Sequence, residues 1–387
     1  MKIIYTGQEL PEEVTKTIFL AGPSPRGDQE VLWRKEALKY LEELGYDGHV
    51  FNPEYAPGVK GMDYDSQVSW ERDALDRADA IVFWVARDIE DEVYGLTTND
   101  EWGYYKESGR AFLGHPATAD KVQYQSWWAE TLGLPVKHNL KVILKDVLEF
   151  IGNGALRTGA KVRVPLLVWN TPSFQSWIAS QEANQNELTD FKAKYVFTAP
   201  GRRHVLSLVH PTVSIAAEEG RLKANEMILF RSDISSVFLY HRDPKGLLKI
   251  VLVKEFRTPV RNTDSYVYEL PGGSSRSPGK SSFQVAAEEV SEETGLHLDH
   301  SRLVELSSRQ MGATLCGYHS QLFACELTAE EILALEQDDS VHGEEGTGER
   351  CTIHVWTPEE ILARGDRVDW PQLGMIFEGV NYATRSL

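Results

Sequence analysis

Cysteine, positive charge and long apolar runs are all scarce in this sequence, and each shortage removes a class of protein. Three cysteines occur in 387 residues, Cys316, Cys325 and Cys351, late in the chain and without metal-ligand spacing. So sparse and odd a set supplies no disulfide framework and suits a reducing compartment. Lys and Arg total 40 against 58 Asp and Glu, a formal net charge of −18, and no dense basic run interrupts it. Nucleic acid is therefore not an expected partner, whereas a small anion can still be met by a few placed Arg side chains or a Mg2+ ion. No stretch approaches the ~20 apolar residues that span a membrane. The opening residues hold only a short apolar run, less than a signal peptide requires. The expectation is a cytoplasmic protein with neither membrane nor nucleic acid as partner.

What is present is ordinary globular composition, 42% hydrophobic and 25% charged, enough to build a proper core. At roughly 100–200 residues per domain, the length implies two domains. Residues 1–155 alternate short apolar runs with amphipathic stretches, the pattern of an α/β fold on a parallel sheet. Strands are expected at 17–21, 49–51, 80–86 and 111–113, and helices from Trp33 to Gly45 and at 68–78, 118–132 and 138–151. A further helix is expected to run to Ser108 with Asn99 as its N-cap. Glycines at 152, 154 and 159 mark the boundary, so that 156–387 form the second domain. Strand-like runs at 204–215, 226–231, 235–241, 247–255 and 264–270, with one acidic helix at 281–294, give it an α+β character.

In an open parallel sheet ligands sit at the carboxyl ends of the strands, and three segments of the first half converge there. The loop after the first strand brings Gly22, Pro23, Ser24 and Arg26. Arg87 and Asp88 follow the central strand, and Thr97-Thr-Asn-Asp-Glu101-Trp-Gly103 lies at a helix start, bringing Thr98, Asn99 and Glu101. Near a helix N-terminus the macrodipole favours an ionised Glu. An ionised, positioned carboxylate is what a glycosyl-transfer nucleophile needs to attack an anomeric carbon. A second carboxylate must fix the sugar or activate the acceptor, and Glu71 and Asp73 in the preceding helix are the candidates. Asp88, Asp91 and Asp100 are candidates for the proton donor to the departing base.

The ordered set Phe19-Leu-Ala-Gly-Pro23, Trp70-Glu71, Phe83-Trp-Val-Ala-Arg87-Asp88 and Thr97-Thr-Asn-Asp-Glu101-Trp-Gly103 resembles the nucleoside 2-deoxyribosyltransferase family over about the first 130 residues. The resemblance implies a flavodoxin-like parallel sheet with helices on both faces. It also implies Glu101 as nucleophile, Glu71 as the sugar-orienting acid, nucleosides or nucleotides as substrates, and no cofactor. Trp102 stands where the family has Phe, a change expected to affect packing alone.

A second constellation lies on the acidic helix. Glu289, Glu292 and Glu293, at i, i+3 and i+4, share one helix face. Carboxylates so close repel unless a cation neutralises them, and hard Mg2+ with water and phosphate oxygens fits best. Metal-assisted attack of water on a diphosphate is the chemistry that follows. With their flanks, Glu269-Leu-Pro-Gly-Gly273 and Ala286-Ala-Glu-Glu-Val-Ser-Glu-Glu-Thr-Gly-Leu296 resemble the Nudix box. That implies an α+β Nudix fold with Mg2+ on the three glutamates. Two positions depart from the pattern, Lys280 replacing a Glu and Glu288 replacing an Arg, and the loop from Gly273 to Lys280 is one residue longer. Both signs are reversed together, so a Lys280–Glu288 pair is expected. Val251 to Arg257 and Glu269 resemble the ADP-ribose pyrophosphatase branch, which implies Arg257 and Glu269 at the substrate. A catalytic Glu is then expected in the loop 342–349, among Glu344, Glu345 and Glu349.

The combined expectation is an enzyme of nucleotide turnover. The first domain would break or transfer an N-glycosidic bond and the second would hydrolyse nucleoside diphosphates with Mg2+. The resemblance to two families that commonly complete sites across dimers makes a homodimer one of the expectations. Two other readings stand beside it: a glycosidase regulated by a non-catalytic, nucleotide-sensing second domain, and a pyrophosphatase whose first domain only binds.

Overall fold

The structure, a computed structural model, describes residues 1–24, 32–59, 61–274, 279–343, 346 and 348–385. It divides into two compact units, Met1–Arg231 and Ser232–Leu387. The first unit is built on six parallel strands, β1 (Lys2–Tyr5), β2 (Thr17–Ala21), β3 (His49–Asn52), β4 (Ala80–Trp84), β5 (Ala111–Gly114) and β6 (Val136–Lys137). Their spatial order is β1-β3-β2-β4-β5-β6; without the added edge strand β1 this is the doubly wound, flavodoxin-like order. Helices α1 (Leu32–Glu43), α2 (Tyr64–Arg77), α3 (Leu96–Tyr105), α4 (Gln123–Thr131) and α5 (Leu140–Ile151) cover it.

Because strand side chains alternate between faces, the central strands feed two cores. Ile18, Leu20, Val82 and Trp84 pack with Ala37 and Leu41 of α1 and with Ile143 and Val147 of α5. Phe19, Ala21, Ile81 and Phe83 pack with Leu75 of α2, Trp102 and Tyr105 of α3 and Ala129 of α4. Helices therefore lie on both faces. Trp102 is buried edge-on against Phe83 at 5.3 Å, yet its indole N–H has no hydrogen-bond partner among the described residues.

One expectation is corrected here. Asn99 does not cap α3, which begins at Leu96 after Gly95 in the left-handed conformation (φ 62°). The Asn99 amide oxygen instead accepts from Arg87 Nη2 at 2.5 Å and Gln125 Nε2 at 2.6 Å. The division between compact units falls after Arg231, where the glycine-rich break in the sequence suggests residue 155. The physical reason lies in what residues 156–231 hold on to. Fully buried Arg157 pairs with fully buried Asp79 at 2.6 Å, and the Leu166 amide donates to the same carboxylate at 2.8 Å. Arg202 donates to the carbonyls of Gly109 (3.1 Å) and Ala111 (2.7 Å), with its guanidinium 3.8 Å from the Phe112 ring centre.

The same segment carries α6 (Pro172–Ala183) and the antiparallel strands β7 (Glu187–Ala199), β8 (Arg203–Ile215), β9 (Arg221–Lys223) and β10 (Ile228–Arg231). They close over a core of Phe174, Ile178, Phe191, Val209 and Phe230. Strand β7 escapes the sequence pattern because register shifts along its pairing with β8 break the period of two.

The second unit is sheet-rich. Its strands are β11 (Ile234–Arg242), β12 (Leu248–Phe256), β13 (Tyr266–Glu269), β14 (Gly272–Gly273), β15 (Val304–Gln310), β16 (His319–Glu326) and β17 (Cys351–Trp356), in one mixed sheet. Val237 and Leu239 of β11 face α7 (Ser282–Thr294) through Ala286 and Val290. The intervening Phe238 and Tyr240 face α8 (Trp370–Arg385) through Ile376 and Ala383. Ser281 and Gln284 form a capping box at the start of α7, and Gly295 (φ 68°) closes it, so the glutamate helix has fixed ends. Among the described residues no helix is long and apolar enough to cross a membrane.

Candidate active site

A pocket of about 330 Å3 opens at the carboxyl end of β2. Gly22, Pro23 and Ser24 from the loop after β2, Arg34 from α1, Gln67 and Glu71 from α2, and Thr98 and Glu101 from α3 all line it. Tyr64, Val68, Glu92, Tyr94 and Leu96 are also on its walls. Gly22 is there because any Cβ would collide with the Trp84 carbonyl and the Trp33 ring. Gly95, left-handed and closely opposed to Pro23, lets α3 start beside the same loop.

Of the site residues expected from the sequence, Gly22, Pro23, Ser24, Glu71, Thr98 and Glu101 are brought together. Arg26 lies outside the described residues. Arg87 is not at the pocket: its guanidinium donates to the Tyr94 carbonyl (2.7 Å), the Lys121 carbonyl (2.7 Å) and Asn99. Arg87 and Asn99 thus brace the loop before α3. Asp88 turns back into that loop, accepting from the amides of Glu90 (3.0 Å) and Asp91 (3.1 Å). Asp73 pairs with Arg77 (2.7 Å) and Arg163 (2.6 Å), which leaves Glu71 as the α2 carboxylate lining the pocket. Neither Asp91 nor Asp100 lines it.

The electrostatics correct one argument. Glu101 is the sixth residue of α3, beyond the turn where the macrodipole acts. Burial, reinforced by the neighbouring charges of Glu71 and Asp100 and opposed by Arg34, pushes its carboxyl up to about 8. Burial also raises Glu71, against a hydrogen bond from Gln67 and the charge of Arg34. The pocket therefore holds two half-buried carboxyls of which one readily carries a proton at neutral pH.

Two charged residues of the pocket, Arg34 and Glu92, were missed in the sequence. Arg34 is 2% exposed, and its signal was a charged side chain on the stripe shared with Ala37 and Leu41. Glu92 reaches the rim through a left-handed backbone (φ 59°), which no spacing announces.

In the second unit, α7 and the strands β12 and β13 gather acidic groups. Glu293 is half-buried, accepts from the Gly272 amide at 2.9 Å, and is held well above the usual carboxyl range by desolvation, with Glu289 and Glu255 adding to the effect. The Glu289 carboxylate lies against Gly273, where a Cβ would come within 2.6 Å of its oxygens. Arg257 bridges Glu255 (2.8 Å) and Glu269 (2.7 Å). Lys280 meets Glu288 at 2.7 Å. The amide of Gly343 donates to the Glu292 carbonyl at 3.0 Å, tying the loop 342–349 to the end of α7. Glu349 is near enough to help raise Glu255, for which burial is the main cause; Glu344 and Glu345 lie outside the described residues. The oxygen donors are of the kind Mg2+ takes, and a cation would relieve the repulsion on Glu293. Among the described residues, however, no three His, Cys, Asp or Glu side chains stand as a formed metal site.

Residues 15–118 match the family model described as nucleoside 2-deoxyribosyltransferase like, a span that contains Arg34, Glu71, Arg87 and Glu101. The first unit thus carries an N-terminal nucleoside 2-deoxyribosyltransferase-like domain. No curated protein matches the chain in sequence. Among solved structures, the crystal structure of an ADP compounds hydrolase is similar at 14% identity and a TM-score of 0.37, covering 52% of this chain and 95% of that one.

Proposed function

We propose that the first unit cleaves or transfers the N-glycosidic bond of a nucleoside or nucleotide. The observation that carries this is the pairing of Glu101 with Glu71 in one pocket at the strand ends, inside the segment that matches the family model. Glu101, once ionised, attacks C1′ of the sugar. The C1′–N bond breaks, its electron pair leaves with the base, and the base takes up a proton. Water or a second base then attacks C1′ of the glycosyl ester and returns Glu101 as a carboxylate. Glu71 holds the sugar hydroxyl. At pH 7 a carboxyl titrating near 8 is ionised in roughly a tenth of molecules, so catalysis draws on a minority form unless substrate displaces the proton. Base release from a nucleoside and nucleotide panel, followed chromatographically, tests the reading. Wild type should release base and Glu101→Gln should not; equal release by both would remove Glu101 from the mechanism.

For the second unit we propose Mg2+-dependent hydrolysis of nucleoside diphosphate compounds, with Glu289, Glu292 and Glu293 holding the ion. The crowding of Glu293 by Glu289 and Glu255 supports this reading. The ion would polarise the diphosphate and its attacking water. Diphosphate cleavage that is unaffected by chelation would refute it.

A further inference from the structure

We propose that Arg34 is a positioning residue of the Glu71–Glu101 pocket, one buried guanidinium that fixes the loop after β2 and presents its charge to both carboxylates. Its catalytic consequence rests on the glycosidic reading above; its geometry does not. Arg34 Nε donates to the Leu20 carbonyl at 3.1 Å and Nη2 to the Gly22 carbonyl at 2.7 Å. Nη1 donates to Ser24 Oγ at 2.7 Å and, less closely, to Glu54 Oε1 at 3.4 Å. The guanidinium also lies 4.6 Å from the Trp33 ring centre, and Trp33 in turn donates to the Pro23 carbonyl at 3.0 Å.

Three of those four acceptors are neutral. They satisfy the N–H groups without cancelling the charge, and the anionic partner is the most distant. A buried cation of this kind needs anions close by, and the pocket supplies Glu71 and Glu101. Their charges act on Arg34 together with that of Glu54, against the cost of its burial. A rigid five-donor fork can hold the end of β2 at Leu20 and the loop at Gly22 and Ser24 at once, and a lysine cannot. Other charged or titratable groups around Glu101 are Asp100 on its own helix, and Tyr64, Glu92 and Tyr94 on the pocket wall. Among these described neighbours Arg34 supplies the positive charge.

The test is a carboxyl-carbon NMR titration of the intact protein labelled at glutamate, with Glu101 assigned by its loss in Glu101→Gln. Arg34→Gln should raise the Glu101 midpoint by roughly one pH unit or more, since an opposite charge is removed. Arg34→Lys should hold the midpoint closer to wild type but speed amide exchange at residues 22 and 24. Glu54→Gln should lower the midpoint, because Arg34 is then shared with fewer anions. A folded Arg34→Gln protein with an unchanged midpoint overturns the proposal. If that variant does not fold, an unchanged or raised midpoint in Glu54→Gln overturns it instead. The titration needs no turnover, so shifted midpoints in a protein that releases no base would sink the glycosidic reading and leave this one standing.

Discussion

Replacing Asp79 by Asn probes the joint that binds residues 156–231 to the parallel sheet. Asp79 precedes β4 at the end of the sheet away from the pocket. Its Oδ2 accepts from the Thr17 amide (2.8 Å), Thr17 Oγ1 (3.0 Å) and Arg157 Nη2 (2.6 Å). Its Oδ1 accepts from Arg157 Nη1 (2.7 Å) and the Leu166 amide (2.8 Å). Both side chains are 0% exposed. Asn keeps one acceptor but turns an NH2 toward donors and leaves Arg157 without a counter-charge. Breaking a buried pair on one side costs about 3–5 kcal/mol. At about 2–4 °C per kcal/mol for a unit of this size, Tm should fall by about 6–20 °C. Arg157→Met should cost similarly, and the double variant much less than the sum, because no lone charge remains. The assay is thermal unfolding of the full chain, following the transition of the first unit. The same logic predicts that residues 1–155 alone, lacking Arg157 and Leu166, are far less stable than residues 1–231. A Tm change under about 2 °C in Asp79→Asn, or a stable 1–155 fragment, would refute the reasoning.

Three further outcomes are expected. The Lys280–Glu288 pair is close but more than a third exposed on both sides, so a double-mutant cycle in stability should give only about 0.2–1 kcal/mol; a coupling of several kcal/mol would show that exposure misjudges it. His204 is held near 4, below its ordinary 6.5, by burial, and its Nε2 has no partner among the described residues. The unfolded chain therefore protonates first, and stability should fall as pH drops from 6.5 toward 4, by at most about 1.4 kcal/mol per pH unit; His204→Phe should flatten that slope in pH-dependent melting curves. Replacing Glu292 and Glu293 by Gln should remove the Mg2+ binding heat in calorimetry, and persistent binding would exclude them as ligands.

The sheet was legible because its strands are short, fully buried apolar runs, and the loop after β2 because it follows the first of them. Glu71 and Glu101 were legible as carboxylates at helical positions facing strand ends. Burial was not, and it reversed the charge argument for Glu101: a dipole acts through the first turn, whereas desolvation depends on everything packed around. Arg87 and Asn99 read as ligand contacts because polar residues at strand ends usually are; three-dimensional packing gave their polar groups to Tyr94, Lys121 and Gln125. The attachment of residues 156–231 to the parallel sheet was not legible, because Arg157 and Asp79 meet across 78 residues, a separation no local pattern spans.

The central claim is that Glu101 forms a bond to the sugar. Its most direct measurement is mass spectrometry of protein quenched during turnover of a nucleoside, with peptide mapping across pH. The account predicts a glycosyl ester on Glu101, absent in Glu101→Gln. Its rate of formation should rise about tenfold between pH 7 and 9, as a carboxyl held near 8 loses its proton. Base release with no adduct on Glu101, or release by Glu101→Gln at the wild-type rate, would contradict it.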